Sequence, residues 1–266
     1  MIPADTPWFI HSDIARGMIA AKRCNATIDP KSIQQSLMSF LTSGNSSGQA
    51  GLIFPAFNYD YGRTRVFNVL EDPVQVGGLP EWVRAGASMP RTHVPFFSFL
   101  SSRDLALDTR GEINPFGKDS GFQWLVDHDA TIVLFGAPLL SLTFIHYVEE
   151  VSGGPVYRYI KQFPGKVVGP EGAAPCDFAM HVRPMGVHMD YDWPRLEEDL
   201  RNQNILQTSE TAPTLQWLNA RRLLEYWGGR ISSDPLYLLD EPSRSYFGPV
   251  TQNGTGRVRQ EDFENE

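Results

Sequence analysis

Residues 131–150 read TIVLFGAPLLSLTFIHYVEE, and the fold turns on them. Thr131 to Phe135 is short, β-branched and almost wholly apolar, and it stops at Gly136. Such a run suits a strand buried on both faces, as in a parallel sheet covered by helices. A helix is expected next, over Leu139 to Val151, where there is neither glycine nor proline. At about 100° per residue, Thr143, His146, Glu149 and Glu150 share one side. Leu140, Phe144, Ile145, Tyr147, Val148 and Val151 take most of the remaining circumference. A buried polar group without a partner costs about 1–3 kcal/mol, so this narrow polar stripe needs either partners or a task. Imidazole titrates near neutral pH, which makes His146 a candidate general base, with Glu149 or Glu150 to orient it. The alternative is a half-buried histidine on a surface helix, and spacing alone leaves both readings open.

The rest of the composition narrows the class. A chain of 266 residues with 16 Phe can bury one substantial core. Its formal net charge of −8 speaks against nucleic acid as a partner and would suit a cationic substrate. No apolar run reaches membrane-spanning length, and the opening MIPADTPWFIH lacks the features of a signal peptide, so a cytoplasmic location is expected. Cys24 and Cys176 lack zinc-ligand spacing and are expected to be free thiols. There is no Walker loop, dinucleotide fingerprint, HExxH or GxSxG.

Along the chain, Trp8 to Ile10 reads as a first strand. His11 and Asp13 then fall at its carboxyl end, where α/β folds place ligand crevices; Asp13 is equally suited to cap the next helix. Further elements are a helix over 31–41, a strand over 52–57, a loop over 58–72 and a helix from Glu81 to Ala87 with Glu81 in its first turn. The segment 91–98, RTHVPFFS, places hydroxyls and cations between prolines, a setting for phosphate or amide groups. In 115–120, PFGKDS, a glycine turn leads into a helix through Trp124 and Leu125 and suits either an anion site or a helix cap. Beyond Val151, short strands are expected over 156–160, 166–168 and 177–182. The run 186–199, GVHMDYDWPRLEED, offers Asp190 and Asp192 to ammonium groups, or is a solvated acidic face. An amphipathic helix is expected over 214–227, closed by Gly228-Gly229, then a short helix opened by Ser233-Asp234-Pro235. From about Ser243 a poorly ordered tail is expected.

Taken together, LTFIHYVE (142–149), PEWVR (80–84), RTHVPFFS and PFGKDS resemble, in order and separation, the aminoglycoside 3-N-acetyltransferase family, also called antibiotic N-acetyltransferases. The likeness covers about residues 75–150, with weaker similarity at FIHSD (9–13) and NARRLL (219–224). The resemblance implies an α/β fold with a mixed central sheet flanked by helices and a small C-terminal subdomain. It implies one domain over 1–242, with about 152–212 as an acceptor-side subdomain and 243–266 as a tail. It also implies direct acetyl transfer from acetyl-CoA to an amine of an amino sugar or aminoglycoside, with no metal. On that basis His146 is the base, Glu81 or Glu149 balances its charge, and Thr143 contacts the thioester. Arg91, Thr92, Ser98, Lys118 and Ser120 fall to the coenzyme, and His11, Asp13, Asp190 and Asp192 to the acceptor.

The chain departs from the family pattern at Val94, which stands where a histidine is expected, with Thr92 for a serine and His93 at a variable position. A biosynthetic N-acyltransferase acting on a nucleotide-linked amino sugar, or using a longer acyl donor, is therefore an alternative to a resistance enzyme. A non-catalytic small-molecule binding protein would keep the fold without the chemistry. A metallohydrolase would have to recruit His11, His93, His146 and His188, which lack short ligand spacing.

Overall fold

All five residues of the strand Thr131–Phe135 are buried, and the rest of the fold is laid around it. The computed structural model describes residues 1–46, 50–86, 89–107, 112–252 and 256–264, without the side chains of 251 and 252. In chain order the first half comprises β1 (Trp8–Ser12), α1 (Ile14–Arg23), α2 (Ile33–Gly44), β2 (Leu52–Pro55), α3 (Tyr61–Thr64), β3 (Val66–Asn68), α4 (Gly78–Ala85), β4 (Phe99–Ser101), β5 (Glu112–Ile113), α5 (Gly121–Asp127) and β6 (Thr131–Phe135). The second half comprises α6 (Phe144–Val151), β7 (Tyr159–Gln162), β8 (Gly165–Gly169), β9 (Gly172–Val182), α7 (Trp193–Asn202), β10 (Gln207–Thr208), β11 (Leu215–Asn219), α8 (Ala220–Ser233) and α9 (Glu241–Gln252).

The main sheet runs β10-β11-β6-β1-β2-β4. Its centre, β6-β1-β2, is parallel, and the strands at either edge are antiparallel. Because side chains alternate along a strand, each central strand feeds two cores. Phe9, Ile53, Ile132 and Leu134 face α5, α6 and α8, which contribute Phe122, Phe144, Leu223 and Trp227. Ile10, Phe54, Val133 and Phe135 face α1, α2 and α4, which contribute Ala20, Leu37 and Val83. At the end of β6, Gly136 adopts φ 76°, and a Cβ there would lie 2.4 Å from the backbone nitrogen of Gly17. Glycine is what lets α1 start so close to the strand.

A second sheet, β3-β8-β9-β5 with β7 also paired to β9, carries its own core of Tyr61, Phe67, Val94, Phe96 and Phe178. It draws β3 and β5 from the first half of the chain, so 152–212 does not make a separate subdomain by itself. The loop expected over 58–72 contains α3 and β3. Where a helix is expected over 214–227, the chain first adds β11 to the main sheet and only then turns into α8. Asn219 makes the turn by accepting from the Arg222 amide. α8 continues through Gly228-Gly229 because Trp227 is fully buried, and that packing outweighs a glycine penalty of about 1 kcal/mol per residue.

The expected tail from Ser243 carries most of α9, with Ser243 and Phe247 fully buried. Further on, Glu264 receives Lys161 at 2.6 Å and the Tyr159 hydroxyl at 2.5 Å. Few apolar residues mark this stretch, and single anchors hold it. The thiols of Cys24 and Cys176 are free. No helix among the described residues is long and apolar enough to cross a membrane.

Candidate active site

The helix expected over 139–151 is broken: Leu139–Ser141 forms one 3-10 turn, and α6 begins at Phe144 with Thr143 at its N-cap. Phe144, Ile145, Tyr147 and Val148 anchor α6 in the core, which fixes the direction of its polar stripe. His146 Nδ1 lies 3.0 Å from Glu149 Oε2, one turn along. Glu149 is only 3% exposed, and it is surrounded by partners. The Tyr157 and Tyr191 hydroxyls donate to its Oε1 at 2.6 and 2.7 Å, and Arg158 Nε stands 3.6 Å from its Oε2. Arg158 Nη2 in turn donates to the Tyr191 oxygen at 2.8 Å, and that oxygen is 3.2 Å from His146 Nδ1. Tyr157 and Arg158 lie just ahead of β7, and Tyr191 just ahead of α7. Three separate segments thus close on one carboxylate, the arrangement a buried charge requires.

Burial by itself would raise the Glu149 carboxyl, but the Arg158 charge and the hydrogen bonds from His146 and Tyr157 outweigh it and bring its pKa to about 2. Glu149 is therefore an anion at neutral pH. Burial also pushes the His146 pKa down; hydrogen bonding to Glu149 opposes that, while the charges of Arg158 and Arg183 add to it. A neutral His146 that donates its Nδ1–H to the Glu149 carboxylate keeps Nε2 as the acceptor.

His146 is 28% exposed at the side chain and lines an open cleft of about 480 Å³. Leu142, Thr143, Ile145, Tyr191 and Trp193 form much of its wall, and Arg158, Arg183 and Asp190 bring charge to it. Among the described residues, Thr143 Oγ1 makes a long 3.4 Å contact, to the Ser141 carbonyl.

Several sequence-predicted residues have other tasks. Glu81 forms a bidentate pair with Arg84 at 2.6 and 2.8 Å and accepts the Val74 amide. Its helix packs on the sheet face opposite α6, so Glu81 ties the 70–74 segment down instead of balancing His146. Arg91 is buried: it donates to the Asp72 and Ala56 carbonyls at 2.5 Å and to Ser98 Oγ at 2.9 Å, and Ser98 itself donates to Ala56. Thr92 Oγ1 accepts the Phe99 amide. Ser120 caps α5 by accepting from Gln123, whereas Lys118 is exposed. Arg91 and Ser98 thus spend their polar groups inside the protein, whereas Thr92 and Ser120 line a small pocket together with Lys118.

At the end of β1, Asp13 caps α1, and His11 is buried with Nε2 unpartnered among the described residues. Asp192 caps α7 and pairs with Arg195, so of the acceptor candidates only Asp190 lines the cleft. Val94 is a core residue, and His93 is an exposed neighbour of Gly169 and is not among the residues that line the His146 cleft. Tyr157, Arg158 and Tyr191 were not legible as site residues. Tyr191 sits in the acidic run 186–199, but its partner is 42 positions away.

The aminoglycoside 3-N-acetyltransferase family profile matches residues 50–227, two-thirds of the chain and all of the His146 cluster. The chain belongs to this family. It is accordingly an acyltransferase by class. Comparison with curated protein sequences returned no match. Among solved structures, the fold is similar to aminoglycoside acetyltransferase AAC(3)-IVa as apoenzyme, with a TM-score of 0.67, 14% identity, and 91% of this chain and 87% of that one covered. AAC-IIIb in binary complex with CoASH gives a TM-score of 0.67 at 15% identity, covering 86% and 90%. Sisomicin-bound AAC-VIa gives 0.66 at 13% identity, covering 87% and 93%. At these identities the likeness is one of fold.

Proposed function

We propose that the protein transfers an acyl group from an acyl-CoA, acetyl-CoA in the first instance, directly to a primary amine, with His146 as general base. The observation that carries this reading is the His146 Nδ1 contact to a buried, ionised Glu149, which leaves Nε2 for the substrate. An attacking amine must shed a proton. Nε2 accepts it as nitrogen attacks the thioester carbon, and Glu149 stabilises the imidazolium. Collapse of the tetrahedral adduct breaks the C–S bond, and the same proton goes to the departing CoA sulfur, so no covalent acyl-enzyme is needed. Thr143, at the cleft wall, is assigned to the thioester carbonyl oxygen, where negative charge develops. The CoASH complex of a similarly folded relative supports the choice of donor, and exposed Lys118 is retained as its contact.

His146→Ala should lower turnover by about 100-fold or more with acetyl-CoA binding nearly intact. Loss of coenzyme binding with turnover spared would refute the assignment.

A further inference from the structure

Charge around the cleft bears on which amine it receives, an inference that rests on the acyl-transfer reading above. We propose that the acceptor is an amine that also carries an anionic group, phosphate or carboxylate, and that Arg183 receives the anion.

The acidic run at 190–199, which the sequence offers to a polycation, is partly paired within the fold, and Asp190 is the carboxylate of that run that lines the cleft. Arg195 pairs with Asp192 at 3.0 Å and Asp199 at 3.4 Å, and Asp199 also accepts the Tyr237 hydroxyl. Glu197 pairs with Arg201 at 2.7 Å. Beside the base, Glu149 is matched by Arg158 and two tyrosines. Glu150 is held by His181 at 2.6 Å and Asn114 at 2.9 Å. Among the described lining residues, Asp190 remains as the exposed carboxylate of the cleft.

Opposing it is Arg183, exposed at the end of β9, lining the same cleft and in no ion pair among the described residues. Its charge is felt at His146, whose protonation it disfavours. A polycation would meet one carboxylate and an uncompensated guanidinium, and like charges brought together repel. An amine with one acidic group meets a complement for each of its charges. The planar guanidinium fits phosphate or carboxylate through two parallel hydrogen bonds, and Trp193 and Ile145 leave an apolar wall for the carbon skeleton.

The test is thiol release at saturating acetyl-CoA with glucosamine, glucosamine 6-phosphate, 2-amino-2-deoxygalacturonic acid and sisomicin, alongside calorimetric binding of each amine and of acetyl-CoA. The wild-type kcat/KM for a phosphorylated or carboxylated amine should exceed that for glucosamine tenfold or more. Arg183→Ala should lower the ratio of kcat/KM for the acidic amines to that for glucosamine by about 10- to 100-fold, each read on its pH-independent plateau, and leave acetyl-CoA affinity unchanged. Arg183→Lys should restore part of the loss.

A wild-type preference for sisomicin overturns the proposal. So does a protein that binds acetyl-CoA yet neither binds nor acylates any acidic amine. An Arg183→Ala variant that loses acetyl-CoA affinity instead assigns the guanidinium to the coenzyme and also overturns it. Wild-type protein that binds no acetyl-CoA refutes the acyl-transfer reading itself.

Discussion

Replacing Arg158 by Met keeps much of the side-chain volume and removes the cation that stands 3.6 Å from Glu149. At that separation and an effective dielectric of about 20, the lost attraction is about 5 kcal/mol, and part of it is offset because Arg158 is no longer desolvated. Removing one partner of a buried pair costs about 3–5 kcal/mol in other proteins, because the other charge stays buried. At about 2–4 °C per kcal/mol for a chain of this size, Tm should fall by about 6–20 °C. Tyr191 also loses the donor at its oxygen, so the carboxylate is less firmly placed.

A second readout is independent of stability. The Arg158 charge lowers the His146 pKa, so its removal must raise it. The base is active when neutral, and the acid limb of the kcat/KM profile should therefore move to higher pH. Denaturant titration and the pH profile of thiol release, both on the soluble variant, check the two parts. Stability within about 1 kcal/mol of wild type, or an acid limb that stays put or moves to lower pH, would refute the coupling of Arg158, Glu149 and His146.

Ser120→Ala should cost about 1 kcal/mol in a denaturant titration through loss of the cap on α5, with the KM for acetyl-CoA unchanged; a raised KM would return Ser120 to the coenzyme. Burial lowers the His11 pKa from 6.5 to about 4, so it contributes about 3 kcal/mol that is fully present above pH 6.5 and lost as pH falls toward 4. Glu149, lowered from 4.5 to about 2, contributes a similar amount that is present above pH 4.5 and lost between there and pH 2. Unfolding free energy measured across pH 7 to 4 should therefore decline for wild type and decline less for His11→Leu; equal slopes would contradict the buried neutral histidine.

The sequence by itself determined the parts that depend on local pattern. The β-branched run ending at Gly136 marked the central strand, and the apolar face of 144–151 marked a buried helix whose polar stripe needed partners. His146 and Glu149 are three residues apart on that helix, so their contact follows from helical geometry alone. Family motifs added the reaction class. Local pattern failed where packing between distant segments outweighs propensity. Leu215–Asn219 is a strand because β6 has a free edge beside it, and Ser243 and Phe247 order the end of the chain because a buried site awaits each.

Motif residues misled for a related reason. Arg91 and Ser98 have the chemistry of ligand contacts, but three-dimensional proximity gives their hydrogen bonds to backbone carbonyls, while Glu81 pairs with Arg84 one turn along the same helix and accepts the Val74 amide. Only the tertiary structure could bring Arg158 and Tyr191 to Glu149, because local pattern does not encode how the chain folds back over the 42 positions that separate Glu149 from Tyr191. It likewise decided which charged side chains line the cleft, Arg158, Arg183 and Asp190, because chain order does not say which carboxylates of the acidic run face it.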